Sequence, residues 1–389
     1  MTSVSPQQIL PVEAYTSSVW FEREQREIFS RSWVFAALES DLAAPGDFRV
    51  VSCGSSSLIV LRDQSGALRA FHNICRHRGT ELLEGCGKLG RTIVCPYHKW
   101  TYGLDGALIG LPEQRACFPE IDKARLGLHG AAVATLKGMI FVHPDAEPAT
   151  PFEAWAGSLG EAIWPHDFAE MSEGPPMLYE ARCNWKVFFE NTIDGYHLAF
   201  LHEKTLGGPK PLENLWERHG RHMLWYSTED GRRSCLPSAV AQTMAQSGTA
   251  KIRGAESGAY AGVYMLYPST IVTASPYEFS VATLLPCGPD LTRIRVRGLG
   301  KRESGWFGSA ASDSGKSAAE PEVIRLDSLK EHPQESGDFM LEDLWICEKI
   351  QRSMRSRFYG VGALARGDGC ETPLTWFQAQ IRDDLGEAA

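Results

Sequence analysis

FHNICRHRG (71–79) and IVCPYHKW (93–100) place Cys75 and His77 one residue apart and Cys95 and His98 two residues apart, with 17 residues between the pairs. Two thiolates and two imidazoles from two short loops suit either tetrahedral zinc or a 2Fe–2S centre in which both cysteines hold one iron and both histidines the other. The mixed centre requires one Cys and one His from each loop, as here. Zinc sites open more often with two cysteines two to four residues apart, so the Cys-x-His spacing argues against zinc. Both loops follow β runs, and Gly79, Gly85, Gly87 and Pro96 suit tight turns around a cluster.

Outward from these loops the texture is short strands. SLIVLRD (57–63) and ALRAFHNI (67–74) flank a QSG turn, KWTYG (99–103) and ALIG (107–110) flank LDG, and RTIVC (91–95) and GMIFVH (138–143) add more. The spacing predicts a small antiparallel β domain over 41–148, left through the proline-rich stretch HPDAEPATP (143–151). Residues 1–40 read as a helical lead-in packing with the catalytic part, with Phe21, Ile28, Phe29, Trp33 and Phe35 near helical spacing. Beyond 149, MLYEARC (177–183) runs as a strand into an expected helix NWKVFFENTIDGYHLAFLH (184–202). HMLWYST, VYMLYPSTIVTAS, EFSVATLLP and LTRIRVRGLG are four β runs, and FMLEDLWICEKIQRSMRSRF (339–358) is an amphipathic helix. The 308–321 segment is low in bulky residues and reads as a surface loop.

The chain has 389 residues, 43% of them hydrophobic, and a net charge of −9. That is ample for a packed core and argues against a broad basic surface for nucleic acid. No apolar run reaches membrane-spanning length, and the first twenty residues lack the basic start and apolar core of a secretory signal. A cytoplasmic protein with reduced cysteines is expected, and Cys86, between the loops, is expected to be a buried small hydrophobe.

The helix at 184–202 carries Asp194, His197 and His202 as D-x-x-H-x₄-H. Two histidines and a carboxylate form the facial triad of non-haem Fe(II). Residues five apart on a regular helix lie about 140° apart, so His197 and His202 share an ion only where the helix is bulged or ends between them. Asp194, three residues before His197, can reach that imidazole, and the apolar LAFL that follows suggests a buried stretch. A zinc-protease reading fails, since it needs histidines four apart in H-E-x-x-H. The third ligand comes from among Asp313, Glu320, Glu322, Asp327, Asp338, Glu342, Asp343 and Glu348. Asp343 shares a stripe with Phe339, Cys347, Ile350 and Met354 that must be buried, and a carboxylate there needs a cation. Glu342 shares a more solvated face with Ile346, Lys349 and Ser353, and Glu348 sits near Arg352 and Arg355. Asp343 is the expected ligand.

The first constellation closely resembles the Rieske motif. The extra loop cysteines of respiratory Rieske proteins are missing, since Tyr97 stands in CPYH, so the oxygenase or ferredoxin type is implied. Together with the second constellation and the late ED-L-W-I-C-E-K-I-Q stretch, nearly the whole chain resembles the α subunit of Rieske non-haem iron oxygenases, the ring-hydroxylating dioxygenase superfamily. The resemblance implies an α+β chain, with a small antiparallel β Rieske domain followed over 149–389 by a helix-grip catalytic domain whose curved antiparallel sheet wraps a long helix. It implies that Cys75, His77, Cys95 and His98 bind a 2Fe–2S cluster and that His197, His202 and Asp343 bind mononuclear Fe(II). Asp194 would link His98 of a neighbouring subunit to His197, and Asn191 would sit near the iron. NAD(P)H would supply electrons through a flavin reductase, a ferredoxin or both, in a homo-oligomer, most simply a trimer, with or without a β subunit. The D-G-Y-H context resembles aromatic-ring hydroxylases more than quaternary-ammonium monooxygenases, which favours an aromatic substrate taken up for catabolism. Trp185, Phe188, Phe189 and Tyr196 could line its pocket, although at helical spacing such residues are more often core. The alternatives are a monooxygenase or demethylase of a methylated amine or ether, and a pure electron-transfer Rieske protein.

Overall fold

The computed structural model describes residues 7–159, 168, 171–174, 176–206, 214–229, 232–234, 262–275, 278–300, 321–367 and 369–387. The 308–321 segment lies outside them except for Pro321, as do the candidates Asp313 and Glu320.

The lead-in is helical only in part. Helix α1 (Ser18–Glu27) starts where the Ser17 hydroxyl accepts the Val19 amide at 3.2 Å. Past Ile28 the chain turns, and VFAAL forms strand β1 (Val34–Leu38), buried at every position. Trp33 and Phe35 therefore belong to no helix. A short, wholly apolar run has no polar face to set its period, so its placement in a sheet decides it.

Nine further strands complete the N-terminal half: β2 (Asp47–Cys53), β3 (Ser56–Arg62), β4 (Leu68–His72), β5 (Cys86–Lys88), β6 (Thr92–Val94), β7 (Thr101–Gly103), β8 (Leu108–Gly110), β9 (Gly130–Leu136) and β10 (Met139–His143). They form an antiparallel sheet in the order β1-β10-β9-β4-β3-β2-β5 and a small sheet β6-β7-β8. Cys86 is half-buried on β5 instead of packed in the core.

The second half is built on one large sheet. Its strands are β11 (Ser172–Glu173), β12 (Met177–Ala181), β13 (Asn214–His219), β14 (His222–Glu229), β15 (Arg232–Ser234), β16 (Gly262–Leu266), β17 (Thr270–Ala274), β18 (Glu278–Gly288), β19 (Leu291–Gly300) and β20 (Val323–Ile324). The order is β13-β14-β16-β17-β18-β19-β12-β20, antiparallel except for β12 with β20. VYMLYPSTIVTAS is thus a hairpin of two strands, because Tyr267-Pro268-Ser269 turns the chain within it. The two halves share a core in which Phe35, Met139 and Phe141 meet Tyr264, Phe279 and Leu299. Arg297 of β19 bridges to Asp41 of the N-terminal half. Among the described residues no helix is long and apolar enough to cross a membrane.

Against the sheet lie α2 (Trp185–Ile193), α3 (Leu198–Leu201), α4 (Phe339–Ser353) and α5 (Thr372–Asp384). The expected long helix 184–202 is two helices, and the expected helix 339–358 ends five residues early. Trp185, Phe188 and Phe189 are core, with Phe189 stacked on Phe377 at 4.3 Å, whereas Tyr196 is 47% exposed. None of the three buried rings is left to line a pocket.

The core of this half contains a buried ion pair. Lys186 Nζ donates to Glu24 Oε1 at 2.5 Å and Trp185 Nε1 to Glu24 Oε2 at 2.8 Å, with Lys186 and Glu24 both fully buried. Removing one partner leaves the other charge without compensation in a low dielectric. Lys186→Met is expected to destabilise the protein by about 3–5 kcal/mol, read by denaturant unfolding. The Glu24→Gln, Lys186→Met double variant should recover most of that loss.

Candidate metal centres

The two cluster loops share one backbone design. Cys75 N donates to Thr80 O at 2.8 Å and Gly79 N to Cys75 O at 3.0 Å; Cys95 N donates to Trp100 O at 2.8 Å and Lys99 N to Cys95 O at 3.1 Å. The fourth residue after each cysteine is left-handed, Gly79 at φ +75° and Lys99 at φ +57°. Each loop thereby folds back on itself within five residues of its cysteine. Asn73 closes the first loop, its Oδ1 accepting the Leu82 and Leu83 amides at 2.9 and 3.0 Å.

Cys75 and Cys95 are buried, whereas His77 and His98 are half-buried, with ring centroids 4.7 Å apart. Trp100 stacks on His77 at 4.8 Å and 7°. His77 Nδ1 and His98 Nδ1 are buried without any hydrogen-bond partner. Orphaned buried nitrogens beside two buried thiols are the donor set a Rieske cluster uses, so these residues fit it. Burial, more than the nearby Cys95 thiol, raises the Cys75 thiol.

The Tyr102 hydroxyl accepts the Arg76 amide at 3.0 Å and lies 3.3 Å from Cys75 Sγ, toward which its own proton can point. Hydrogen bonds to cluster sulfurs raise reduction potentials. Tyr102→Phe, losing a bond of about 1 kcal/mol, should lower the cluster potential by about 40 mV for one electron, measured by redox titration of the EPR signal.

The second constellation depends on a break in the helix. Asp194 is extended (φ −88°, ψ 101°) and ends α2, and His197 opens the single turn α3 that His202 closes. Gly195 N donates to Cys370 O at 3.2 Å, and a Cβ on Gly195 would lie 2.0 Å from Gly369 O. Glycine is required here by close backbone approach. The helix ends before His197, not between the histidines, and one short turn brings His197 Nε2 within 3.2 Å of His202 Nε2.

Asp343 Oδ1 lies 3.0 Å from His202 Nε2 and 3.6 Å from His197 Nε2, and all three ligand atoms fall within 4.8 Å of one another. Asn191 Nδ2 donates to the same Oδ1 at 2.8 Å. Three negative or lone-pair donors facing one point suit a divalent cation. Burial alone would lower the His197 imidazole, but Asp194 and Asp343 outweigh it and carry it up to about 10; the two histidines in turn hold Asp343 well below the usual carboxylate range against its burial.

The rejected carboxylates have other roles. Asp338 caps α4 through the Met340 amide at 2.9 Å, Asp327 pairs with Arg182, and Glu348 accepts the Arg182 amide at 3.0 Å. Glu342 departs from expectation: it is 1% exposed, and its Oε2 is 2.6 Å from His202 Nδ1. Ile350, expected inside, is 37% exposed. The first turns of α4 are packed almost all round, which a single-stripe reading of Glu342 misses, whereas the helix emerges into solvent at Lys349 and Ile350. LAFL has no buried residue, and Phe200 is 65% exposed. Asp194 Oδ2 is 3.4 Å from His197 Nδ1, and its Oδ1 accepts the Tyr196 amide at 2.7 Å.

The family model "Rieske [2Fe-2S] domain" matches residues 32–133, and "Ring hydroxylating alpha subunit (catalytic domain)" matches residues 168–387. The chain belongs to the ring-hydroxylating α-subunit family. As a member it carries a Rieske 2Fe–2S domain and a catalytic domain for mononuclear iron. It is 33% identical to the carnitine monooxygenase oxygenase subunit of Acinetobacter baumannii over 219 residues, 55% of this chain and 57% of that one. It is 34% identical to the large oxygenase component of the naphthalene 1,2-dioxygenase system of Pseudomonas putida over 192 residues, 48% of this chain and 42% of that one. The chain thus spans about half the length of the curated relatives it matches. A quaternary ammonium Rieske monooxygenase bound to L-carnitine shares the fold at TM-score 0.72 and 24% identity, over 96% of this chain and 95% of that one. Naphthalene 1,2-dioxygenase from Rhodococcus bound to indole does so at TM-score 0.70 and 21% identity, over 98% and 95%.

Proposed function

We propose that this chain is a terminal oxygenase component that uses O₂ and electrons from NAD(P)H, relayed by a flavin reductase with or without a ferredoxin, to hydroxylate or dihydroxylate a small organic substrate. The observation that carries this reading is the convergence of His197, His202 and Asp343 on one point. A pure electron carrier has no use for that convergence. In this reading Cys75, His77, Cys95 and His98 hold the cluster, and His197, His202 and Asp343 hold Fe(II). When bound, the iron supplies an open face for O₂ activation and the cluster supplies an electron. Hydroxylating a C–H bond consumes O₂, two electrons and two protons and returns one water.

The protein's own groups prepare this chemistry. Asn191 donates to Asp343 Oδ1 and fixes that carboxylate. Asp194 stands beside His197 Nδ1, where it orients the imidazole. The half-buried cluster histidines face outward for electron exit toward a neighbouring copy, which favours a head-to-tail ring, most simply a trimer. The NAD(P)H dependence in this reading favours a cytoplasmic location.

For the substrate, Asp194 in D-G-Y-H favours an aromatic ring. A methylated or quaternary amine is the second reading, supported by the carnitine monooxygenase relative and the near full-length likeness to the quaternary ammonium enzyme. Oxygen uptake with a surrogate reductase across neutral arenes, aromatic acids and quaternary amines tests both. A dihydrodiol or phenol is the expected product. An aldehyde released only from methylated amines moves the assignment to the second reading, and no substrate-dependent uptake with any panel overturns the oxygenase.

A further inference from the structure

His202 is held by two consecutive residues of α4. Asp343 Oδ1 is 3.0 Å from Nε2, and Glu342 Oε2 is 2.6 Å from Nδ1. Neighbouring residues on a helix point about 100° apart, so a ring lying across the helix start can be flanked from two sides. His202 and Glu342 are each 1% exposed, and Thr205 Oγ1 donates to the same Glu342 oxygen at 2.7 Å.

Two physical consequences follow. A metal-bound imidazole offers the lone pair of one nitrogen, so with Nε2 facing Asp343 and His197, the proton sits on Nδ1 and is donated to Glu342. Glu342 therefore selects the tautomer that leaves Nε2 free to bind. The second consequence is charge. Among the described residues the ionic partner of Glu342 is His202, with no lysine or arginine paired to it. A buried carboxylate needs compensation. Asp343 faces Nε2 and Glu342 backs Nδ1, so both place negative charge around a bound dication, as Asp194 does behind His197.

We propose that Glu342, locked by Thr205, is a positioning residue of the iron centre that fixes the His202 tautomer and adds negative charge behind a bound dication. The proposal rests on the iron-centre reading above. Glu342 donates no atom to the metal, and its effect passes through the ring it holds.

The test uses the full chain with its cluster in place, stripped of mononuclear iron and titrated with Fe(II) against a chelator, followed by EPR of the Fe(II)–nitric oxide adduct. Glu342→Gln is close to isosteric and should weaken Fe(II) binding about 10–100-fold and alter the rhombicity of the nitrosyl signal. Thr205→Val leaves the carboxylate but frees it, and should give a smaller loss in the same direction. A role confined to the fold would lower thermal stability and leave both readouts unchanged. Unchanged affinity and nitrosyl signal in Glu342→Gln overturn the proposal; if that variant does not fold, unchanged affinity in Thr205→Val does so. His202→Ala separates the two levels. Wild-type Fe(II) affinity there overturns the iron-centre reading itself, whereas lost affinity there with unchanged Glu342→Gln removes only the present inference.

Discussion

Asp343→Ala is expected to remove the mononuclear iron and abolish turnover while the Rieske EPR signal survives at full intensity. Among the described residues Asp343 Oδ1 is the one anionic donor that faces both His197 and His202. Two neutral imidazoles alone hold Fe(II) weakly, and the carboxylate supplies charge as well as a bond. Losing an orienting partner of a ligand typically costs about 10–100-fold in affinity, so losing the ligand itself should exceed 100-fold. The cluster loops lie in the other half of the chain, so their signal is the internal control. Metal analysis falling from about three irons per chain to about two is the expected reading. Three irons and normal turnover would show that the ligand lies elsewhere, and Glu342, already inside the site, would be the next residue to change.

Local spacing made the cluster legible in the sequence. Cys75, His77, Cys95 and His98 sit in two loops whose turns close within five residues of each cysteine, at the left-handed residues Gly79 and Lys99. The iron histidines were legible as a pattern, but the geometry that lets them share an ion was not. It depends on Gly369 lying against Gly195, residues 174 positions apart in the chain. The same holds for Glu342. Helical periodicity assigns it to a wet face only if α4 has one, and its first turns are enclosed by α2 and the segment around His202. Strand β1 was missed because VFAAL has no polar alternation, and its partner Met139–His143 lies about a hundred residues away. What the chain alone could not reveal was tertiary enclosure.

Asp194→Asn should leave both metal centres largely occupied and disable electron delivery between them. The side chain is poised for that role: Oδ2 lies 3.4 Å from His197 Nδ1, and Oδ1 accepts the Tyr196 amide at 2.7 Å. The amide bond pins the carboxylate at the broken end of α2. It leaves a second lone pair on Oδ1 for a donor arriving from outside. The surroundings admit one, since Tyr196 and Phe200 beside it are 47% and 65% exposed. Such an open aromatic rim suits contact with another copy's cluster loop, where Tyr97 is 55% exposed next to His98. In the proposed ring, His98 of a neighbouring subunit donates to Asp194, which in turn holds His197. Asparagine preserves the shape but loses the charge, and each charge-assisted bond lost costs about 1.5–3 kcal/mol. Losing the charge on this path is expected to slow electron delivery by about 100-fold, the upper end for an orienting partner. Single-turnover oxidation of the pre-reduced cluster, with substrate and O₂ present, measures that step apart from steady-state turnover. The variant should bind Fe(II) about tenfold more weakly, the low end for an orienting partner, fill at saturating Fe(II), and oxidise its cluster far more slowly. Cluster oxidation at the wild-type rate would leave Asp194 with only the turn at Tyr196 to hold.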